Sequence, residues 1–414
     1  MEEKYIKLLL EKCSKIKDNK ILFINYSKEI EEFINKIISM AKKMGVEEIY
    51  QDSYDIEEEH NLLQNMSLEE IKKSDYFDKK IWDTYAKKNA CFLIIETEYP
   101  GLMDDIPAEK LSLSAKRKRE SRPIYRKMVE RCELSWCIAA YPGKRWAEHL
   151  FQGKDSYEKL KKAIFRMCMV DKDNPIDEWN NHLKKQGKIQ EYLNSLKLKK
   201  IYYTNSLGTN LEISLPENYL YASALDNDII VNMPSYEIFM SPVYNKTEGI
   251  VYASKPLIYN GALINDFWLK FKDGKVIDFD SKTGKEVLKG IIESDEHSCY
   301  LGECALVENN SPIAKENKNY ETTLIDENAS CHLALGAGFA ECIEGGLSLT
   351  DDELLRKGIN VSKNHVDFMI GTPDLKIEGI TKDNKVITIF KDGNFDSKII
   401  EEANNVKKTI DKIN

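Results

Sequence analysis

The sequence lacks any stretch able to cross a membrane. Its longest apolar runs fall far short of the roughly 20 residues a spanning helix needs. The opening MEEKYIKLLLEKCSKIKDNK carries charge throughout and has no apolar leader core. Cytoplasmic residence is therefore the expectation, and nine cysteines at irregular positions agree with it. Cys132 and Cys137 have no matching second pair, so a zinc knuckle is not expected there, and Cys91, Cys137 and Cys168 read as small core residues. No GxGxxG follows an apolar strand and no GxxxxGK[ST] occurs, which argues against dinucleotide and P-loop chemistry. Internal repeats, low-complexity segments and Gly/Ser-rich or Pro-rich linkers are missing too. Lys and Arg number 60 against 69 Asp and Glu, a net charge of −9. That balance argues against nucleic-acid and membrane partners. The one basic run, Lys116–Arg119, is followed by Glu120 and reads as a solvated helix face.

A chain of 414 residues is long enough for two domains. In the first half, apolar strands are predicted at 21–26, 47–53, 91–96 and 134–140. Amphipathic helices are predicted at 2–18, 28–44 and 68–89, the last opened by a Ser67/Glu70 capping box. Strands alternating with helices give an α/β domain over 1–195 with an open, mostly parallel sheet. Tyr141–Trp146 leaves the strand at 134–140 as a surface turn; the alternative has Lys144, Arg145 or Trp146 touching substrate or the second domain. Helices fill 154–197, one of them starting at Pro175. Near residue 196 long helical patterns give way to short strands and hairpin turns such as Lys272–Lys275, Lys382–Lys385 and Lys391–Asn394. Residues 281–293 and the tail 395–414 read as helices. The second domain, 196–414, is thus α+β with a mainly antiparallel sheet, and it carries the candidate metal site.

The stretch from Cys299 to Asp374 concentrates charge inside apolar, small-residue surroundings. His365-Val366-Asp367 continues into Phe368-Met369-Ile370 and reads as a buried strand. Residues two apart on a strand share a face, so His365 and Asp367 present imidazole and carboxylate together. A buried carboxylate needs a hydrogen bond, an ion pair or a metal. His332 follows Glu327 and precedes a loop containing Gly336, Gly338, Gly345 and Gly346, which suits close approach to a peptide backbone. Of six histidines, only 332 and 365 sit in apolar, glycine-flanked contexts. A hydrogen-bonded pair and a metal centre both satisfy this pattern; histidines with carboxylates form the ligand set of hydrolytic metal sites.

Five segments, NMPSYEIFMSP at 232–242, YLGECALV at 300–307, LIDENASCHLALGAGF at 324–339, EGG at 344–346 and NHVDFMIGTPD at 364–374, resemble those of the thermophilic metallo-aminopeptidase family that includes aminopeptidases T and S. They occur in the family's order. FLIIETEYPGLMDDIP at 92–107 extends the resemblance more loosely into the first half. The resemblance implies that Glu237, Glu303, Glu327, His332, His365 and Asp367 hold two divalent ions (zinc, cobalt, manganese or magnesium), with Glu303 bridging. It implies a homodimer that removes N-terminal residues from peptides with a free N-terminus by a two-metal, activated-water mechanism. Glu303 and Glu327 are the candidate catalytic bases, and Phe339 and Gly338 the candidate substrate contacts. Where the family carries a tyrosine seven positions after the first histidine ligand, this chain has Phe339; Tyr236, Tyr300 or water are the candidate replacements. Two other readings remain: a non-catalytic or weakly active metal- or peptide-binding relative, and an amidohydrolase acting on a non-peptide substrate.

Overall fold

A computed structural model of the chain describes residues 1–414 apart from 15, 224, 227, 228, 260, 261 and 411–414. Four parallel strands, β1 (Ile21–Ser27), β2 (Glu48–Tyr54), β3 (Cys91–Glu96) and β4 (Trp136–Ala140), form the first sheet. Their alternation builds two cores. Leu22 and Ile24 pack on one face beneath Tyr5, Phe33 and Ile37, while Phe23 packs on the other against Trp82, Tyr85 and Phe92. The predicted strands and the helices α1 (Glu2–Lys12) and α2 (Glu31–Lys43) are present, although the helix expected over 2–18 already ends at Lys12.

Two local expectations are corrected. The helix expected over 68–89 is broken into Leu68–Lys73, a short turn at Asp75–Phe77, and Lys80–Lys87. The Ser67/Glu70 capping box starts the first piece as expected. Ser74 is extended and its hydroxyl accepts from the Tyr76 N–H, restarting the chain. Arg117 holds the Asp78 carboxylate at 2.6 Å, which pins the break. The surface turn expected at 141–146 is instead the start of α3 (Lys144–Leu150). Trp146 is 1 % exposed, and its indole N–H donates to the Tyr320 carbonyl at 2.8 Å. The basic run lies on a helix as expected but is only partly solvated: Lys116 lies near Glu120 at the surface, whereas Arg117 binds Asp78 and Lys118 binds the buried Glu59.

Beyond α4 (Pro175–Ser195) the chain is mainly antiparallel. One nine-stranded sheet spans Leu198–Thr204 to Asn394–Phe395. Its Asp273-Gly274 and Asp392-Gly393 turns have positive φ at both positions, as two-residue hairpin loops require. The tail helix runs Ser397–Ile410; the last four positions expected in it lie outside the described residues. Strand β5 (Asn232–Met233) returns to the first sheet and pairs in parallel with β4. Hydrogen bonds therefore cross the change in texture near residue 196.

The sheet that matters for function has strands β6 (Ile238–Met240), β7 (Leu301–Leu306), β8 (His332–Gly336) and β9 (His365–Met369), all antiparallel, with Ala222–Ser223 at its β6 edge. One face is wholly apolar. Met240, Cys304, Leu333 and Phe368 pack into the same core as the nine-stranded sheet. On the opposite face Phe239 and Ala305 pack with Cys342 and Phe339, and the segments that follow the strands reach the first half. There the segment 307–329 contributes Val307, Ile313, Tyr320, Leu324 and Ile325 to the core under the first sheet. No helix among the described residues is long and apolar enough to cross a membrane.

The Trp146–Tyr320 bond joins the first sheet to the segment leading into the site. Replacing Trp146 by Phe strands a buried carbonyl, which costs about 1–3 kcal/mol. Urea denaturation of Trp146→Phe should show a lowered midpoint with an unchanged slope. An unchanged midpoint would show that this bond contributes nothing.

Candidate metal centre

Strand period places the charged groups. Glu237 precedes β6 and shares a face with Phe239 and Ser241; Glu303 and Ala305 follow on β7, His332 and Ala334 on β8, and His365 and Asp367 on β9. Register sets Glu303, Ala334 and Asp367 side by side, and Ala305 beside His332. The two fully buried alanines keep the middle of this face open between the larger polar side chains.

Glu303 reaches this face through a β-bulge. Leu301 pairs with Leu335 and Glu303 with Ala334, so Gly302 is an extra residue on β7. Without that insertion Leu301 and Glu303 would share a face, and the carboxylate would enter the apolar core. Only glycine fits: a Cβ on Gly302 would lie 2.0 Å from the Ala337 carbonyl oxygen. That same carbonyl accepts from Nδ1 of His365 at 2.8 Å. One close backbone approach thus sets both Glu303 and His365.

Both imidazoles are held the same way. Nδ1 of His332 donates to the carbonyls of Glu327 (2.9 Å) and Ser330 (3.1 Å). A carbonyl only accepts, so Nδ1 carries the proton and Nε2 is turned inward. Nε2 of His332 lies 3.2 Å from Glu237 Oε2 and 4.0 Å from Glu303 Oε1. Nε2 of His365 lies 3.1 Å from Glu303 Oε2 and 3.2 Å from Asp367 Oδ1. Glu303 therefore offers one oxygen to each imidazole.

Glu327, in the turn Glu327–Ala329, is buried beside these groups; its carboxylate accepts from the Asn328 amide at 3.3 Å. The Asn328 side-chain oxygen accepts from the Tyr236 N–H at 2.6 Å, tying this turn to the approach of β6. Gln186 of α4 donates to the Glu237 carbonyl at 3.2 Å.

The electrostatics are those of a crowded anionic site. Burial, reinforced by the charges of Glu237 and Asp367, pushes the Glu327 carboxyl well above its ordinary range. Burial also raises Glu303, to about 7, although its bond to His365 opposes the rise. Burial alone would lower both histidines. The Glu237 bond and charge outweigh it for His332, and Asp367 and Glu303 outweigh it for His365, so both imidazoles are raised. Asp367 is lowered because the His365 charge overcomes its burial. Among the described residues no lysine or arginine pairs with any of the four carboxylates.

Divalent ions fit this donor set. Glu237, Glu303 and His332 form one group, and Glu303, His365 and Asp367 another, with ligand atoms in each within 4.8 Å of one another. Asp367 Oδ1 is buried and has no hydrogen bond despite its nearness to His365. Four carboxylates and two neutral imidazoles carry four negative charges, which two divalent cations would balance.

The structure thus brings together Glu237, Glu303, Glu327, His332, His365 and Asp367. Phe339 stands at their edge, half-buried, its ring 5.0 Å from that of His365 and 5.1 Å from that of Phe239. Gly338 packs on the chain itself, where a Cβ would meet Ser241, Gly302 and Ile359 at 3.0–3.1 Å. The tyrosines considered as replacements for the missing phenol lie elsewhere. The Tyr236 hydroxyl donates to the Met167 carbonyl at 2.6 Å, and Tyr300 packs edge-on against Tyr244. Gly302 was not singled out from sequence. The signal was present: Leu301 and Glu303 share strand parity but not character.

Comparison with known proteins identifies the family of the chain. The family model described as thermophilic metalloprotease (M29) matches residues 1–395. The chain belongs to this family. Members with similar sequences include aminopeptidase AmpS of Bacillus subtilis (strain 168), 32% identical over 399 residues, covering 94% of this chain and 97% of that one. Aminopeptidase 2 of Geobacillus stearothermophilus is 33% identical over 401 residues, covering 95% and 97%. Aminopeptidase T of Thermus aquaticus is 30% identical over 315 residues, covering 74% and 76%. The fold of this chain is also seen in the structure of wild-type AmpT from Thermus thermophilus, which superposes with a TM-score of 0.86 at 24% identity over 95% of this chain and 98% of that one.

The bulge gives a direct test. Gly302→Ala must push β7 off the Ala337 carbonyl, at an overpacking cost of about 1–3 kcal/mol. Its purified protein should melt lower and hold less divalent metal than wild type by elemental analysis. Unchanged metal content and melting would show that Glu303 does not depend on the bulge.

Proposed function

We propose that this chain is a metal-dependent aminopeptidase that removes single residues from the free N-terminus of peptides, using two divalent ions. The observation that carries this reading is the shared carboxylate: Glu303 turns Oε2 to His365 and Oε1 toward His332, so two three-residue groups meet at one residue. Glu237 and His332 would complete one site, His365 and Asp367 the other. Membership of a metalloprotease family and relatives named as aminopeptidases support the same reaction. When bound, such ions polarise a scissile carbonyl and acidify a water. Oxygen-rich ligation suits zinc, cobalt, manganese or magnesium alike.

The protein's own groups do the rest. The carbonyl-bound Nδ1 atoms keep both imidazoles in one tautomer and leave Nε2 facing the carboxylates, where it would hold an ion. Of the two candidate bases, Glu327 is favoured. Glu303 has both oxygens engaged, whereas Glu327 belongs to neither group, which leaves its carboxylate to take a proton and pass it to the leaving amine.

Chelation should abolish hydrolysis of an aminoacyl-p-nitroanilide, and added divalent metal should restore it. N-acetylated substrates should resist cleavage. Efficient hydrolysis of blocked substrates would overturn the reading in favour of an amidohydrolase, and no hydrolysis of any substrate by the metal-loaded protein would favour a binding relative.

Phe339 gives a second test. Among the described residues no tyrosine hydroxyl bonds to the four carboxylates or two imidazoles. A donor to a developing oxyanion is typically worth about 10²–10³ in kcat. Phe339→Tyr adds one oxygen at the site's edge and should raise kcat by about tenfold or more at matched metal content. A level or lower kcat would show that another group already fills that role.

A further inference from the structure

The groups of the metal centre are not equally shielded. The side chains of Glu237, Glu303, His332 and Asp367 are 1–10 % exposed, whereas that of His365 is 28 % exposed. The site therefore opens to solvent beside His365. Phe339 stands at this opening, half-buried, with its ring 5.0 Å from the imidazole of His365. From that ring an apolar strip runs inward. Phe339 meets Phe239 edge-on at 5.1 Å, and the fully buried Ala305 and Cys342 pack with them. Phe239 pairs with Ala305 across β6 and β7, on the same strand face as Glu237 and Glu303. Strip and ligands thus form one surface.

The outer ring is held in place by the backbone. The Phe339 N–H donates to the hydroxyl of Ser241 at 2.8 Å, and Ser241 is fully buried two residues beyond Phe239. Glu341, next to Cys342, is engaged elsewhere: its carboxylate accepts from the Cys132 thiol of the first half at 2.8 Å. A peptide bond has two flanking side chains, and both lie close to the metals when its carbonyl does. The chain beyond the bond has to leave through the opening at His365. The N-terminal residue has nothing before it, so its side chain is free to turn inward along the strip.

We infer that Phe339, Phe239, Ala305 and Cys342 form the subsite for the N-terminal side chain of the substrate, and that it selects aliphatic and aromatic residues over acidic ones. This rests on the aminopeptidase reading and names its substrate class. An apolar side chain gains by leaving water for the two rings. An acidic one would lose its hydration among apolar groups and a single thiol, with no cation to pair it.

The test measures kcat/KM and metal content for metal-loaded wild type, Phe339→Ser and Phe339→Leu on the dipeptides Leu-Ala, Ala-Ala, Glu-Ala and Ala-Leu. One methylene in an apolar pocket discriminates by about tenfold to two-hundredfold. Wild type should prefer Leu-Ala to Ala-Ala by about tenfold or more, with Glu-Ala the slowest. The preference for Leu-Ala should fall toward one in Phe339→Ser and persist in Phe339→Leu, which keeps an apolar wall. Equal wild-type rates on Leu-Ala and Ala-Ala, or faster cleavage of Glu-Ala, would overturn the inference alone, as would a preference unchanged in Phe339→Ser. A larger loss on Ala-Leu than on Leu-Ala in that variant would also overturn it, since the second residue would then lie on the ring. Loss of metal from Phe339→Ser would assign the ring to the metal frame instead and overturn it too. Failure of wild type to cleave any of the four peptides would overturn the aminopeptidase reading and this inference with it.

Discussion

Four carboxylates and two imidazoles share one buried space without a cationic side chain to balance them. Placing an ion in a protein interior costs several kcal/mol even after relaxation. That cost shapes everything around it. The reverse face of the same sheet is packed with Met240, Leu333, Phe368 and their neighbours against a second sheet, and the first sheet supplies a separate core on the other side. Two large apolar cores lie next to the elements that carry the charged groups, and within that setting Glu237, Glu303 and His332, and Glu303, His365 and Asp367, come within ligand distance of one another.

Backbone atoms supply much of that order. Each imidazole is oriented by carbonyls, which cannot titrate and do not change rotamer. The Ala337 carbonyl performs two functions, abutting Gly302 at the bulge and holding His365. A side-chain partner in that place would bring rotamer freedom that a strand-anchored carbonyl lacks. The result is a rigid ligand frame, as a hydrolytic metal centre requires.

Much of this was legible in the sequence, and what was not has physical reasons. Apolar runs located β1 to β4, and Asp-Gly pairs located the hairpins, because both signals are local. Period two paired His365 with Asp367. Glu303 and Glu327 stood out locally only as charges in apolar, small-residue runs, and Glu237 not at all. Their roles depend on which strands pair and in what register, and came through resemblance to the family. The break at 74–79 depends on Arg117, some forty residues on in the chain. Trp146 read as part of a turn because its partner, the Tyr320 carbonyl, is a backbone atom 174 residues away.

The turn carrying Glu327 rests on the first half of the molecule. Trp146 grips Tyr320, Arg166 forks onto Glu316 at 2.8–2.9 Å, and His149 meets Glu321 at 3.0 Å. Ligand geometry and the docking of the two halves are therefore a single thermodynamic variable. Linkage makes the relation reciprocal: whatever an ion gains from well-docked halves, the docked arrangement gains from the ion. Metal loading becomes a clasp on the architecture as well as a condition of the chemistry. Whatever loosens that seam would thus weaken metal binding as well.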